Sequence, residues 1–180
     1  MDATKSVVGQ TFQKRRCRQL LNFMPFLPLL FLIMSHNLPE IVLPQNQWIS
    51  LPNKHFSFAT NGREAPQNTV VKLKADDEYL QVEFECQQNP YWKQNTYQQH
   101  NTEMWNQEVF EVFIAEGSET PVRYLELEIN PNNALFVGWI DNPTKEAPQN
   151  LTFVPYEKAG IKHEVKASGE TWSGKMLIPW

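Results

Sequence analysis

The feature that most limits this chain is a strict alternation of apolar and polar residues at period two. In YLQVEFEC, residues 79–86, Leu80, Val82, Phe84 and Cys86 share one face, while Gln81, Glu83 and Glu85 occupy the other. In RYLELEIN, residues 123–130, Leu125, Leu127 and Ile129 oppose Glu126, Glu128 and Asn130. Successive side chains of a strand point to opposite faces, so this pattern builds a half-buried strand. Wound into a helix, it would scatter its apolar groups on every side. Similar short runs recur at 55–60, 69–75, 107–114, 134–140, 161–167 and 171–180, separated by polar turns. No segment after residue 37 sustains a helical period. The chain is therefore expected to be all-β, a β-sandwich of antiparallel strands over 55–180.

Of the 180 residues, 41% are hydrophobic and 20% charged, enough for one domain with its own core. The net charge of −4 leaves no basic stripe to neutralise phosphates, which excludes nucleic acid as a partner. Basic residues cluster once, at Lys14, Arg15, Arg16 and Arg18, ahead of the apolar run Leu20–Met34. That order reads as a secretory signal over residues 1–36, with an uncleaved anchor as the competing reading. A membrane span needs roughly 20 apolar residues, and Pro25 and Pro28 interrupt this run, so no membrane contact beyond the export signal is expected. The location implied is periplasm, cell surface or secreted. Residues 37–54, with Pro39, Pro44 and Pro52, read as an extended lead-in. Cys86 would be the one cysteine after the signal, and reads as a small buried hydrophobe on a strand.

The stretch QQNPYWKQNTYQQHNTEMWN, 87–106, has no glycine, many side-chain amides and four aromatic residues: Tyr91, Trp92, Tyr97 and Trp105. Loops this long inside a compact domain are usually functional or disordered, and disordered segments are poor in aromatics. Flat apolar rings beside paired donors and acceptors suit a sugar, whose C–H face stacks while its hydroxyls hydrogen-bond. The alternative is that the rings merely fasten the loop to the sandwich.

A hairpin of 107–114 and 123–130, matched on its apolar faces, pairs Phe110 with Leu127 and Val112 with Leu125. Glu111 then lies opposite Glu126, with Glu128 diagonal and Asn130 near Glu108. Like charges directly opposite destabilise a sheet. The offset could be Arg123 or a lysine, a bound cation, a shared proton, ligand hydroxyls, or simply solvent on an outer face.

Across 69–180 these runs resemble the family 9 carbohydrate-binding modules, which share their strand rhythm with DOMON-like sandwiches. TEMWNQEVFEVFIA resembles the family's tryptophan followed by a Val-Glu-x-Phe-Ile strand, through Trp105, Glu108 and Glu111. RYLELEINP resembles its tyrosine-bearing strand ending in Asn-Pro, and ADDEYLQVEFEC and WSGKMLIPW resemble two further strands. The resemblance implies non-catalytic binding of a plant-type polysaccharide or its chain end. Trp105 would be one ring of an aromatic clamp, Glu111 a hydroxyl acceptor, and Glu126 and Asn130 further polar contacts. A xylan-binding member has a basic residue where this chain has Glu128, so sugar specificity does not carry over. The family's second ring lies beyond the late IPW strand. The sandwich is accordingly expected to be incomplete at the C-terminus, with Trp92 or Tyr97 as substitutes for that ring. Six residues of strand span roughly 20 Å, so Trp105 and Glu111 can share a sugar only if the chain folds back before Gln107.

Three rivals remain. A glycoside hydrolase needs two suitably spaced carboxylates, and Glu126-Leu127-Glu128 is the nearest run. A DOMON-like haem or redox domain would have Met104 and His100 as its axial pair. A structural or adhesive sandwich would bind no sugar. The residues imply no cofactor, no metal ligand set and no catalytic residue; a structural calcium is compatible with them without being derivable. The partner expected is an oligosaccharide or polysaccharide.

Overall fold

A computed structural model of the chain describes residues 41–52, 55–57, 63–117, 120–145 and 148–180. Residues 1–36, read above as an export signal, lie outside them. Among the described residues, ten strands build two antiparallel sheets. The larger contains β1 (Ile49–Ser50), β2 (His55–Ser57), β3 (Glu64–Ala75), β4 (Tyr79–Cys86), β9 (Lys162–Ser168) and β10 (Thr171–Pro179). Its order is β1-β3-β4-β10-β9, with β2 also on β3. The smaller sheet has the order β5 (Phe110–Ile114), β6 (Arg123–Ile129), β7 (Leu135–Asp141), β8 (Asn150–Phe153). One helical turn, α1 (Tyr156–Ala159), precedes β9.

The alternating runs bury one face each, and the two inner faces meet. Leu80, Val82 and Phe84 from the larger sheet pack with Phe110, Leu127, Ile129 and Val137 from the smaller. Phe84 and Phe110 stack across the gap at 3.9 Å, and Trp172 closes edge-on to Phe84 at 5.0 Å. Cys86 is buried in this core, as its place on the apolar face of β4 requires. Gly174 sits opposite Phe84, where a Cβ would meet the ring at 2.5 Å. The missing side chain is what lets Phe84 lie flat on Phe110.

Several expectations need correction. Within the extended lead-in, Ile49 and Ser50 pair with Leu73 and Lys72 of β3, adding a strand that was not expected there. β3 begins at Glu64, five residues ahead of its apolar run, and β8 is an additional strand. The β5–β6 register is also two residues away from the one expected. Phe110 pairs with Ile129, Glu111 with Glu128, Val112 with Leu127, and Phe113 with Glu126. A slip of two keeps every side chain on its face, so alternation alone cannot distinguish these registers. The observed one places fully buried Ile129 beside Phe110 in the core.

Candidate functional site

The polar sides of β5 and β6 should face water, yet one carboxylate on each strand is nearly out of reach of it. Leu127 and Ile129 point into the core, so Glu126 and Glu128 project from the outer face, where Glu111 of β5 joins them. Glu128 is 0% exposed and Glu111 7%, while Glu126 is half-buried. One carboxylate oxygen from each lies within 4.8 Å of the other two. Neither oxygen of Glu128 meets an N–H or hydroxyl donor. The Glu126 carboxyl is in hydrogen-bond reach of it, and the pair can bond only when one of them is protonated.

Burial, and then the charge of Glu126, pushes the Glu111 carboxyl up to about 8. Burial likewise raises Glu128, reinforced by Glu111 and Glu126, and it raises Glu126. Tyr124, on the same face, is pushed up to about 12 by burial and the charges of Glu126 and Glu111. Arg123 offers no relief. It projects with Leu125 and Leu127, pairs with Asp141 at 3.4 Å, and lies over Trp139 at 4.8 Å.

The aromatic loop packs on the same face, beside Phe136, the cross-strand neighbour of Glu128. Its two ends are tied together: the Asn95 side chain donates to the Glu108 carbonyl, and the Thr96 N–H donates to Gln107 Oε1. Between them His100 Nδ1 accepts from the Leu135 N–H, and Asn101 bonds to both Leu135 and Val137. A 3₁₀ turn at Met104–Asn106 then carries the chain back before Gln107. Met104 is buried with Ala134 and Phe136, and Tyr97, Trp105 and Val109 pack around them. His100 is held by the Leu135 N–H and stacked on Tyr156 at 3.6 Å, while Met104 is buried in this cluster.

Trp105 stands edge-on to Phe136 at 5.4 Å, and Phe136 is the cross-strand neighbour of Glu128. Tyr97 belongs to the same cluster. Trp92 does not: it packs against the main core and donates from Nε1 to the Gly169 carbonyl. Asn130 is fully buried, and its amide is used up internally. It donates to Asn95 Oδ1 and to the Tyr97 carbonyl, and accepts from the N–H groups of Asn132 and Ala134. The amide expected to touch a ligand is therefore the clip that holds the loop to the β6–β7 turn.

One ring was missed. Phe153 of β8 is 47% exposed and meets Phe136 edge-on at 5.6 Å, on the side of the sheet that Trp105 shares. Its partner in the ladder is Gly138, where a Cβ would meet Phe136 at 2.8 Å. The Leu-Thr-Phe alternation at 151–153 was the available signal, too short to stand out. A separate groove of about 380 Å³ lies on the outer face of the larger sheet, among residues such as Lys72, Glu83, Lys175 and Glu164. Those four alternate in charge across adjacent strands, and Lys175 and Glu83 already pair at 3.4 Å. The uncompensated chemistry is on the smaller sheet.

No family model matches the chain. It is 27% identical over 152 residues to a protein of the fungus Arthroderma benhamiae described as "Extracellular protein". The match takes in 78% of this chain and 66% of that one. Among solved structures, the fold is similar to a "putative carbohydrate-binding protein" from Bacteroides uniformis ATCC 8492, with a TM-score of 0.52 and 14% identity. That likeness covers 74% of this chain and 60% of the other, and it shows the sandwich fold. The chain thus spans less than two thirds of the length of either protein. Among the described residues, no helix is long and apolar enough to cross a membrane.

Proposed function

We propose that the outer face of β5–β8 binds carbohydrate without catalysis, as part of an exported protein acting on plant-type polysaccharide. The observation that carries this reading is the pair of partly exposed rings, Trp105 and Phe153, both edge-on to Phe136 and adjoining the carboxylate cluster. Rings offer stacking faces, and half-buried Glu126 offers a charged acceptor for hydroxyls. The name of the solved neighbour points the same way, as does the resemblance to family 9 modules. The fungal relative's description supports export, together with the basic cluster and apolar run of residues 1–36. A hydrolytic reading fares worse. Both carboxylates of a glycosidase must reach the scissile bond, and Glu128 is fully buried.

Calorimetric titration of the full chain with xylan, cellulose, mannan and their oligosaccharides tests the reading. Phe153→Ala and Trp105→Ala should each weaken binding roughly tenfold, as expected for losing stacking worth about 1–2 kcal/mol. Phe153 is the cleaner probe, since its exposure leaves the core intact. An absence of heat with every sugar, from a folded protein, would favour a structural sandwich.

A further inference from the structure

We propose that Glu111, Glu126 and Glu128 form a binding site for a hard divalent cation of the calcium type. The decisive observation is Glu128, which is 0% exposed and whose oxygens meet no donor except the neighbouring Glu126 carboxyl, and that only when the pair shares a proton. An ionised carboxylate costs far too much to bury unless something of opposite charge or a donor meets it. Among the described residues neither ion pair involves the cluster, and the cation on β6, Arg123, is committed to Asp141 on the other face. Protons shared among the three would serve some of the oxygens, whereas a cation serves all three carboxylates at once.

Geometry fits the ion. Three oxygens no more than 4.8 Å apart all lie within about 2.8 Å of a common point, near the roughly 2.3–2.6 Å of calcium–oxygen bonds. The donors are oxygens only, with no cysteine or histidine in the cluster, which selects a hard cation over zinc or copper. Bidentate binding would let three carboxylates supply up to six oxygens. Calcium accepts six to eight in flexible geometry, while magnesium demands a near-ideal octahedron and keeps its waters. A nearly dry site therefore favours calcium. Half-buried Glu126 marks the side from which the ion enters and where water can complete its shell. The site shares Glu126 with the carbohydrate reading, but its argument rests on Glu128 and needs no sugar ligand.

The test uses the full chain, stripped with EDTA and desalted, then titrated with calcium chloride by calorimetry and followed by thermal melting. One saturable site is expected, with a melting temperature raised by about 5 °C or more at saturation. Magnesium chloride at matched ionic strength should raise it less. Terbium should bind with emission sensitised by the neighbouring rings and be displaced by calcium. Glu128→Gln should lower calcium affinity at least tenfold and abolish the melting response, while melting no lower than the parent in EDTA. Should that variant fail to fold, Glu111→Gln must show the same loss. Two results would overturn the proposal. One is no heat and no melting shift at millimolar calcium from a folded protein; the other is a calcium response unchanged in both glutamine variants. Sugar binding is not a readout, so this test fails or succeeds apart from that of the carbohydrate site.

Discussion

At Asn130 one amide holds two donors' and two acceptors' worth of structure: Asn95 and Tyr97 from the loop, Asn132 and Ala134 from the turn. Asn130→Ala should therefore destabilise the fold by about 3 kcal/mol, because it strands buried partners as well as losing the bonds. Asn130→Asp, which keeps the acceptor and loses the donors, should fall between the two. Urea titration checks both, and an alanine variant as stable as the parent would refute the clip. A second polar knot sits nearby, where His163 Nδ1 lies 2.8 Å from Asn133 Oδ1 and Nε2 lies 3.0 Å from the Tyr156 hydroxyl. An amide oxygen only accepts, so Nδ1 carries the proton and Nε2 accepts from Tyr156. The residue types at both places could be read from the sequence, but their roles could not. An asparagine ending a strand looks the same whether its amide faces a ligand or its own loop, since only the loop's path decides.

The elements show where that legibility stopped. Alternation assigned faces correctly along β4 and β6, so Glu111 and its neighbours were rightly placed together on one side of the smaller sheet. It could not set the register, and so it put Glu126 opposite Glu111 where Glu128 stands. Nor could it foresee that Met104, Tyr97 and Trp105 of the aromatic loop would pack with Phe136 and Val109 on that side, giving a nominally solvated face a buried apolar cluster of its own. β8 escaped because a four-residue strand carries too little pattern. Close packing between elements gives a test that needs no ligand. At Gly174, a methyl group would meet the Phe84 ring at 2.5 Å and the Glu164 carbonyl at 3.2 Å. The carbonyl belongs to the neighbouring strand and the ring is held against Phe110, so neither yields readily. Gly174→Ala should cost about 1–3 kcal/mol of stability through overpacking. The near-ultraviolet circular dichroism of the aromatic core should change with it. A neutral outcome in both would mean the Phe84–Phe110 stack is looser than its geometry.

For the molecule as a whole, a half-buried histidine and the carboxylate cluster pull the pH dependence in opposite directions. Burial, and secondarily the charge of His100, lowers the His163 pKa below its ordinary 6.5. The unfolded chain then binds that proton more readily, so this contribution is present above about pH 6.5 and is lost as pH falls. The carboxylate cluster has the reverse sign. Glu111, raised from 4.5 to about 8, keeps its proton when folded and releases it when unfolded, and Glu126 and Glu128 are raised as well. Stability from the cluster is full below about pH 4.5 and is lost as pH rises toward 8. Three groups shifted upward outweigh one histidine shifted downward. The chelator-treated protein should accordingly lose stability between pH 5 and pH 8, by a few kcal/mol at most. Urea midpoints in EDTA at pH 5, 6.5 and 8 measure it. Glu128→Gln should flatten the decline, because it removes one buried acid and the repulsion it exerts on the others. His163→Gln should steepen it, by removing the opposing slope. A midpoint that instead rises from pH 5 to pH 8 in the parent protein would mean that the cluster is ionised and already compensated in the folded state. The carboxylates would then owe their burial to a partner other than protons even after chelation.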